Sequence, residues 1–102
     1  MDPNIWGPPL WREMHLKSFS YPNFPRLEDK SRISRYFNNI IHRLPCEKCK
    51  IHYETELYVN PVEFNVDSRE EISRWLVNLH NNVNIRLGKP VVSYTKAVKM
   101  YT

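Results

Sequence analysis

Apolar side chains recur at three- and four-residue intervals through successive stretches of the chain, and no stretch beyond the short Val91-Val92 alternates as a strand would. The clearest stripe is Ile72, Trp75, Leu76, Leu79, Val83 and Leu87. Ser68-Arg69-Glu70-Glu71 precedes it as a capping box, and Gly88 followed by Lys89-Pro90 supplies a left-handed stop and a breaker. A second stripe, Ile33, Phe37, Ile40, Ile41 and Leu44, starts from a cap at Asp29 or Ser31 and runs up to Pro45. Trp11, Met14, His15, Ser18 and Phe19 predict a first helix from about Pro8 to about Ser20, closed by the proline-broken loop Tyr21–Pro25. From Pro45, placed in a first turn, another helix carries Cys46, Cys49, His52, Tyr53 and Leu57 to Asn60-Pro61. Val62–Asp67 reads as a loop and Ser93–Tyr101 as a short fifth helix. The pattern predicts an all-α fold: a four-helix bundle with a short fifth helix, forming one domain over residues 1–102.

Composition narrows the function. A chain of 102 residues buries a limited core, so a cofactor or a second copy would add stability. Two glycines against three tryptophans and six tyrosines favour helices packed through aromatics. A net charge of +4 is an ordinary surface excess and does not point to nucleic acid. No apolar run reaches the roughly 20 residues of a membrane span, and the N-terminal residues lack the layout of a secretory signal, so no membrane insertion is expected. A reducing compartment disfavours a structural disulfide, which leaves chemistry as the reason for the only two cysteines.

Those cysteines form Cys46-x-x-Cys49, a spacing that suits a metal clip or a redox dithiol. A helix N-terminus there would stabilise a thiolate. Zinc would need His52, His42 or His80 to complete a tetrahedral set, and no second closely spaced ligand pair exists to help them. The second polar anomaly is His80-Asn81-Asn82-Val83-Asn84, three asparagines in a helix that otherwise propagates well. His80, Asn81 and Asn84 line up along one side, as a core histidine beside solvated amides or as a polar row for a ligand. Trp11, His15, His52, Tyr53 and Trp75 are flat side chains, suited to core packing or to sandwiching a planar ring. Arg86 and Lys89 end the segment with charge suited to a diphosphate or to water.

Taken together, Trp6-Gly7-x-x-x-Trp11-x-x-x-His15, Pro45-Cys46-x-x-Cys49 and Trp75-Leu76-x-x-Leu79-His80-Asn81-x-Val83-Asn84-x-x-Leu87-x-Lys89-Pro90 resemble the Erv/ALR flavin-linked sulfhydryl oxidases. The resemblance implies a bundle holding FAD noncovalently at its mouth, usually as a homodimer. It implies oxidation of protein dithiols to disulfides, with oxygen reduced to hydrogen peroxide. Cys49 resembles the sulfur beside the flavin ring and Cys46 the outer sulfur attacked by substrate. Gly7, Trp11, His15, Phe37, Cys49, His52, Tyr53, Trp75, His80, Asn81, Val83, Asn84, Leu87 and Lys89 are then the expected cofactor-binding residues, with no metal.

Departures from the family pattern refine the expectation. Many cellular members carry an additional structural disulfide and a shuttle cysteine pair, and this sequence has neither; Tyr58 stands near the place of one structural cysteine. It is similar in this to the minimal members encoded by large cytoplasmic DNA viruses. The implied partner is a protein dithiol substrate or a separate shuttle dithiol protein, and the implied location is the cytoplasm, of a host cell or in a virion. A zinc-binding helical module or an inactive binding module of the same fold are the alternatives.

Overall fold

The computed structural model describes residues 2–102. Five helices, α1 (Pro3–Phe19), α2 (Leu27–Asn39), α3 (Glu47–Val59), α4 (Arg69–Arg86) and α5 (Tyr94–Tyr101), are joined with two 3-10 turns at Ile40–Arg43 and Val62–Asn65. No strand occurs among the described residues. α1 lies along α4, α5 packs against both, and the turn after α2 packs against α3. Met14, Phe37, Ile40, Ile72 and Leu76, all essentially inaccessible, form the centre.

Three helix starts differ from the sequence expectation, each because a side chain caps earlier or later. α1 begins at Pro3, not near Pro8, because the Asp2 carboxylate accepts the Asn4 N–H at 2.9 Å and Pro3 takes the first position. Pro8 and Pro9 lie inside it and deprive the Asn4 and Ile5 carbonyls of helical donors. Those four residues are all exposed, so water can serve the freed carbonyls. α2 starts at Leu27, where the Arg26 N–H donates to the Asp29 carboxylate at 2.9 Å. α3 starts after Pro45, because the Cys46 sulfur itself occupies the N-cap and accepts the Cys49 N–H at 3.3 Å.

The expected single helix up to Pro45 instead tightens into the 3-10 turn Ile40–Arg43. The Tyr53 hydroxyl donates to the Phe37 carbonyl at 2.6 Å and ties α3 to this change of pitch. Glu13 of α1 holds the same turn, accepting two hydrogen bonds from the Arg43 guanidinium at 2.6 and 2.9 Å and one from the Tyr36 hydroxyl at 2.6 Å. The α3–α4 connection is a 3-10 turn rather than an open loop, with Val62 fully buried. It is fixed by the Trp75 indole N–H donating to the Asn60 carbonyl at 2.8 Å.

At the head of α4, Ser68 accepts the Glu71 N–H at 3.1 Å, which realises the Ser68 half of the expected box. Its end follows the pattern foreseen: Gly88 has φ +71°, its N–H donates to Ile85, and Lys89 N–H donates to the Asn84 carbonyl at 2.8 Å. The segment after it makes no strand. Asn81 substitutes for one, its amide accepting the Val92 N–H at 2.9 Å and donating to the Val92 carbonyl at 2.7 Å. α5 is then pinned by the Tyr94 hydroxyl on Ser73 at 2.7 Å and by the Arg74 guanidinium 4.0 Å from the Tyr94 ring.

Candidate active site

Helix geometry makes the two sulfurs of the Cys46-x-x-Cys49 pair unequal. Both cysteines are free thiols. Cys46, at the N-cap, is held below the ordinary thiol range by the Cys49 thiol that donates to it and then by backbone N–H groups of the first turn. Cys49, one turn inside, is pushed up to about 11 by burial and then by its proximity to Cys46, while the positive charge of Arg86 opposes the shift. Of the reduced pair, Cys46 is therefore the sulfur that ionises more readily. Arg86, the last residue of α4, is thus near enough for its charge to act on Cys49.

Across the α1–α4 contact lies a stack of rings. The Trp11 and His80 rings are parallel, 6° apart in plane, with centroids 3.8 Å apart. The His15 Nε2 and His80 Nδ1 are 2.8 Å apart, so one nitrogen donates and the other accepts. Burial, followed by the His80 charge, pulls His15 down to about 3; burial, followed by Lys89, pulls His80 down to about 4. Both rings are neutral at physiological pH, a state in which one nitrogen supplies the proton and the other the lone pair of the shared hydrogen bond.

The other expected site residues fall into two groups. Asn84 is buried and its amide reaches Asn81 at 3.4 Å, while Asn81 is largely committed to Val92. The polar row therefore also serves the chain's own backbone. Lys89 reaches back to the Asn4 side chain at 3.4 Å, bringing the two ends of the α1–α4 pair together. Leu87 is 56% exposed, His52 and Val83 are half-buried. Phe37, Tyr53 and Trp75 instead sit in the core, Phe37 with no accessible surface and its ring edge-on to Trp75 at 5.1 Å. Their polar atoms serve backbone carbonyls, as described above.

Two residues outside the expected cofactor-binding set also have a place here. Trp6 packs against the core, and its indole N–H is buried without an acceptor. Tyr101 stacks on His15, centroids 4.3 Å apart and planes 11° apart. The sequence signal for Trp6 was its place beside Gly7; for Tyr101, in a short terminal helix, there was none.

The cluster fits a planar, anionic nucleotide. His15 Nδ1 and Trp6 Nε1 are buried polar atoms with no hydrogen-bond partner, a condition that a bound polar group relieves. Gly7 is buried, yet a Cβ built on it would meet no atom within 4 Å, so a ring or chain can lie directly against its backbone. Exposed Arg86 and Lys89 supply positive charge at the edge. Two open grooves along α2, of about 550 and 650 Å³, contain none of these residues. Among the described residues no group of three or more His, Cys, Asp or Glu gathers as a metal site.

Comparison with known proteins agrees with this chemistry. The Erv1 / Alr family pattern matches residues 8–102. A probable FAD-linked sulfhydryl oxidase of Acanthamoeba polyphaga mimivirus is 37% identical over 97% of this chain and 70% of its own length. An FAD-linked sulfhydryl oxidase of African swine fever virus (isolate Pig/Kenya/KEN-50/1950) is 33% identical over 94% of this chain and 79% of its own. Among solved structures, the yeast Erv1 core superimposes with a TM-score of 0.92 at 30% identity, covering 100% of this chain and 85% of that one. The FAD binding domain of Erv1 from Saccharomyces cerevisiae gives 0.92 at 32% identity, covering 99% and 94%.

Proposed function

The chain belongs to the Erv1 / Alr family, and from that premise we propose that it is an FAD-linked sulfhydryl oxidase that forms disulfides in protein substrates through Cys46 and Cys49. The observation that carries this reading is the unequal sulfur pair at the start of α3, with the Arg86 charge acting on Cys49, in a chain whose α1–α4 contact holds a buried imidazole with an unpartnered nitrogen.

A substrate thiolate attacks Cys46 Sγ of the oxidised pair; a substrate–Cys46 bond forms, the Cys46–Cys49 bond breaks, and Cys49 leaves as a thiolate whose burial penalty Arg86 offsets in part. The second substrate thiolate attacks the substrate sulfur of this mixed disulfide and expels Cys46. Its depressed pKa makes Cys46 the better leaving group at that step. The substrate has then lost two electrons and gained a disulfide, and the pair holds those electrons as a dithiol. Bound FAD supplies the two-electron acceptor that returns the pair to its disulfide and passes the electrons to oxygen, giving hydrogen peroxide.

Gly7, Trp11, His15, His52, His80, Asn81, Val83, Asn84, Leu87 and Lys89, with Cys49, are assigned to hold the cofactor. Phe37, Tyr53 and Trp75 support them from the core. The same reading includes a homodimer, a separate shuttle dithiol protein as an alternative to direct substrate oxidation, and a cytoplasmic or virion setting drawn from the likeness to viral relatives. The purified protein is expected to be yellow, with flavin absorbance near one equivalent per chain, and to consume oxygen with a dithiol substrate while producing peroxide. A colourless protein that takes up no FAD, or one that binds FAD but leaves the dithiol unoxidised, defeats it.

A further inference from the structure

α3 is apolar on both of its sides, and the core accounts for only one of them. Tyr53 is buried, and Cys49 and Leu57 pack against the core, yet Ile51, Tyr58 and Val59 of the same helix are 63%, 86% and 74% exposed. At 3.6 residues per turn, Lys48, Ile51, Thr55, Tyr58 and Val59 fall within one arc of about 100°, with Cys49 and Tyr53 on the far side. Every residue of that arc is exposed, and the Thr55 hydroxyl is taken up by the Ile51 carbonyl at 2.9 Å.

The head of this stripe is positive and lies beside the reactive sulfur. Lys48 stands between the two cysteines in the first turn and makes no ion pair among the described residues. Its neighbours are neutralised: Glu47 by Lys50 at 3.5 Å, and Arg43 by Glu13 at 2.6 Å. The Lys48 charge acts on Cys46, the sulfur at the N-cap. Exposed Glu54 borders the arc further along, so the positive end is the one next to the disulfide. With Cys49 turned to the inner side of α3, the outer face is left to whatever approaches Cys46.

We propose that the outer face of α3 is the docking surface for the protein dithiol, on the reading that Cys46 is the sulfur that substrate attacks. The substrate segment places an acidic residue near its cysteine against Lys48 and an apolar residue on Ile51, and continues over Tyr58 and Val59. Lys48 and Ile51 are then specificity-determining residues. From Lys48 to Val59 the helix rises about 16 Å, the reach of about five extended residues. A short apolar segment with one carboxylate near its cysteine is enough to cover it.

The test needs no flavin. Cys49→Ser chain carrying a thionitrobenzoate mixed disulfide on Cys46 is mixed with peptides of one cysteine each. The peptide thiolate attacks Cys46 Sγ, a peptide–Cys46 disulfide forms, and coloured thionitrobenzoate leaves as a thiolate with the electrons of the broken bond. One peptide has acidic and apolar neighbours beside its cysteine; in the second the acid is replaced by lysine, and in the third the apolar residues by serine. Ratios of rates are compared between this chain and the same chain with Lys48→Gln or Ile51→Ser, so that each peptide's own thiol reactivity cancels. The advantage of the acidic over the lysine peptide is expected to fall about threefold in Lys48→Gln, the scale of an exposed ion pair. The advantage of the apolar over the serine peptide is expected to fall about fivefold in Ile51→Ser, as for partial burial of one aliphatic side chain. Identical ratios in all three chains overturn the proposal.

A second copy of the chain is the rival occupant of this face. Ile51→Ser with Tyr58→Ser is expected to sediment as the wild type does; a changed oligomeric state assigns the face to a dimer and overturns the proposal. The attacked sulfur is checked separately, with Cys46→Ser loaded on Cys49. Faster peptide reaction there than at Cys46 defeats the sulfur assignment, whereas faster reaction at Cys46 without peptide preference defeats the docking surface alone.

Discussion

Gly7 and Gly88 are the two glycines of the chain, and the structure asks different things of them. Gly88 needs its residue type for the backbone, with φ +71° at the end of α4 and nothing within 4 Å of a built Cβ. Gly88→Ala is therefore expected to cost about 1 kcal/mol from conformation alone, read as a lower midpoint in urea with unchanged slope. Gly7 has helical geometry, so Gly7→Ala in the apo-protein is expected to be neutral or stabilising by up to about 1 kcal/mol. The same substitution should weaken FAD binding if the cofactor lies against that backbone; a variant with full FAD affinity removes Gly7 from the site. At the sulfurs, Cys49→Ser is expected to retain bound flavin and lose turnover, whereas His80→Ala, which breaks both the Trp11 stack and the His15 bond, is expected to lose flavin. Peroxide formation at the wild-type rate by Cys49→Ser would contradict the assigned electron path.

Helices were legible where their boundaries are written in local chemistry. The α4 stripe, its Ser68 cap and its Gly88 stop all act within a few residues, and the structure reproduces them. Boundaries set by a distant partner were not legible. α2 gives way to a 3-10 turn where Tyr53 from α3 reaches the Phe37 carbonyl, and the α3–α4 corner is closed by Trp75 reaching Asn60. Proline misled twice, at Pro8-Pro9 and at Pro45, because Asp2 and Cys46 supply better caps nearby. The corner gives a direct test. Trp75→Phe can keep the edge contact with Phe37 but loses the indole donor, leaving the Asn60 carbonyl short of one bond. A loss of about 1–2 kcal/mol is expected, visible as a lower melting temperature; an unchanged temperature would mean that water serves the carbonyl equally well.

For the molecule as a whole, two buried neutral histidines link stability to pH. His15 and His80 fall from an ordinary 6.5 to about 3 and about 4 in the folded chain. The unfolded chain therefore takes up protons first as pH falls. Their contribution is complete above about pH 6.5 and is lost progressively as the pH drops towards 4 and then 3. Glu13, held down to about 2 by hydrogen bonds from Arg43 and then Tyr36, acts in the same sense in a lower window, below its ordinary 4.5. Denaturant melts of the apo-protein at pH 7, 5.5 and 4.5 are expected to show falling stability, with the step from pH 7 to 5.5 lying above the carboxylate range. A flat profile from pH 7 to 4.5 would mean that the pair accepts a proton without penalty.

The amino-acid sequence by itself determined the all-helical architecture, the redox reading of Cys46-x-x-Cys49 and the family, because periodicity, caps and motif spacing act along the chain. Only the tertiary structure decided how the parts divide the work. It committed Asn81 to Val92, placed Phe37, Tyr53 and Trp75 in the core, buried the Trp6 indole N–H without an acceptor, and stacked Tyr101 on His15. Each of those outcomes depends on which surfaces meet when α1, α4 and α5 pack. Polar groups that water would satisfy in an isolated helix must find partners once they are buried, and the pattern along one helix does not specify which groups on another will be within reach.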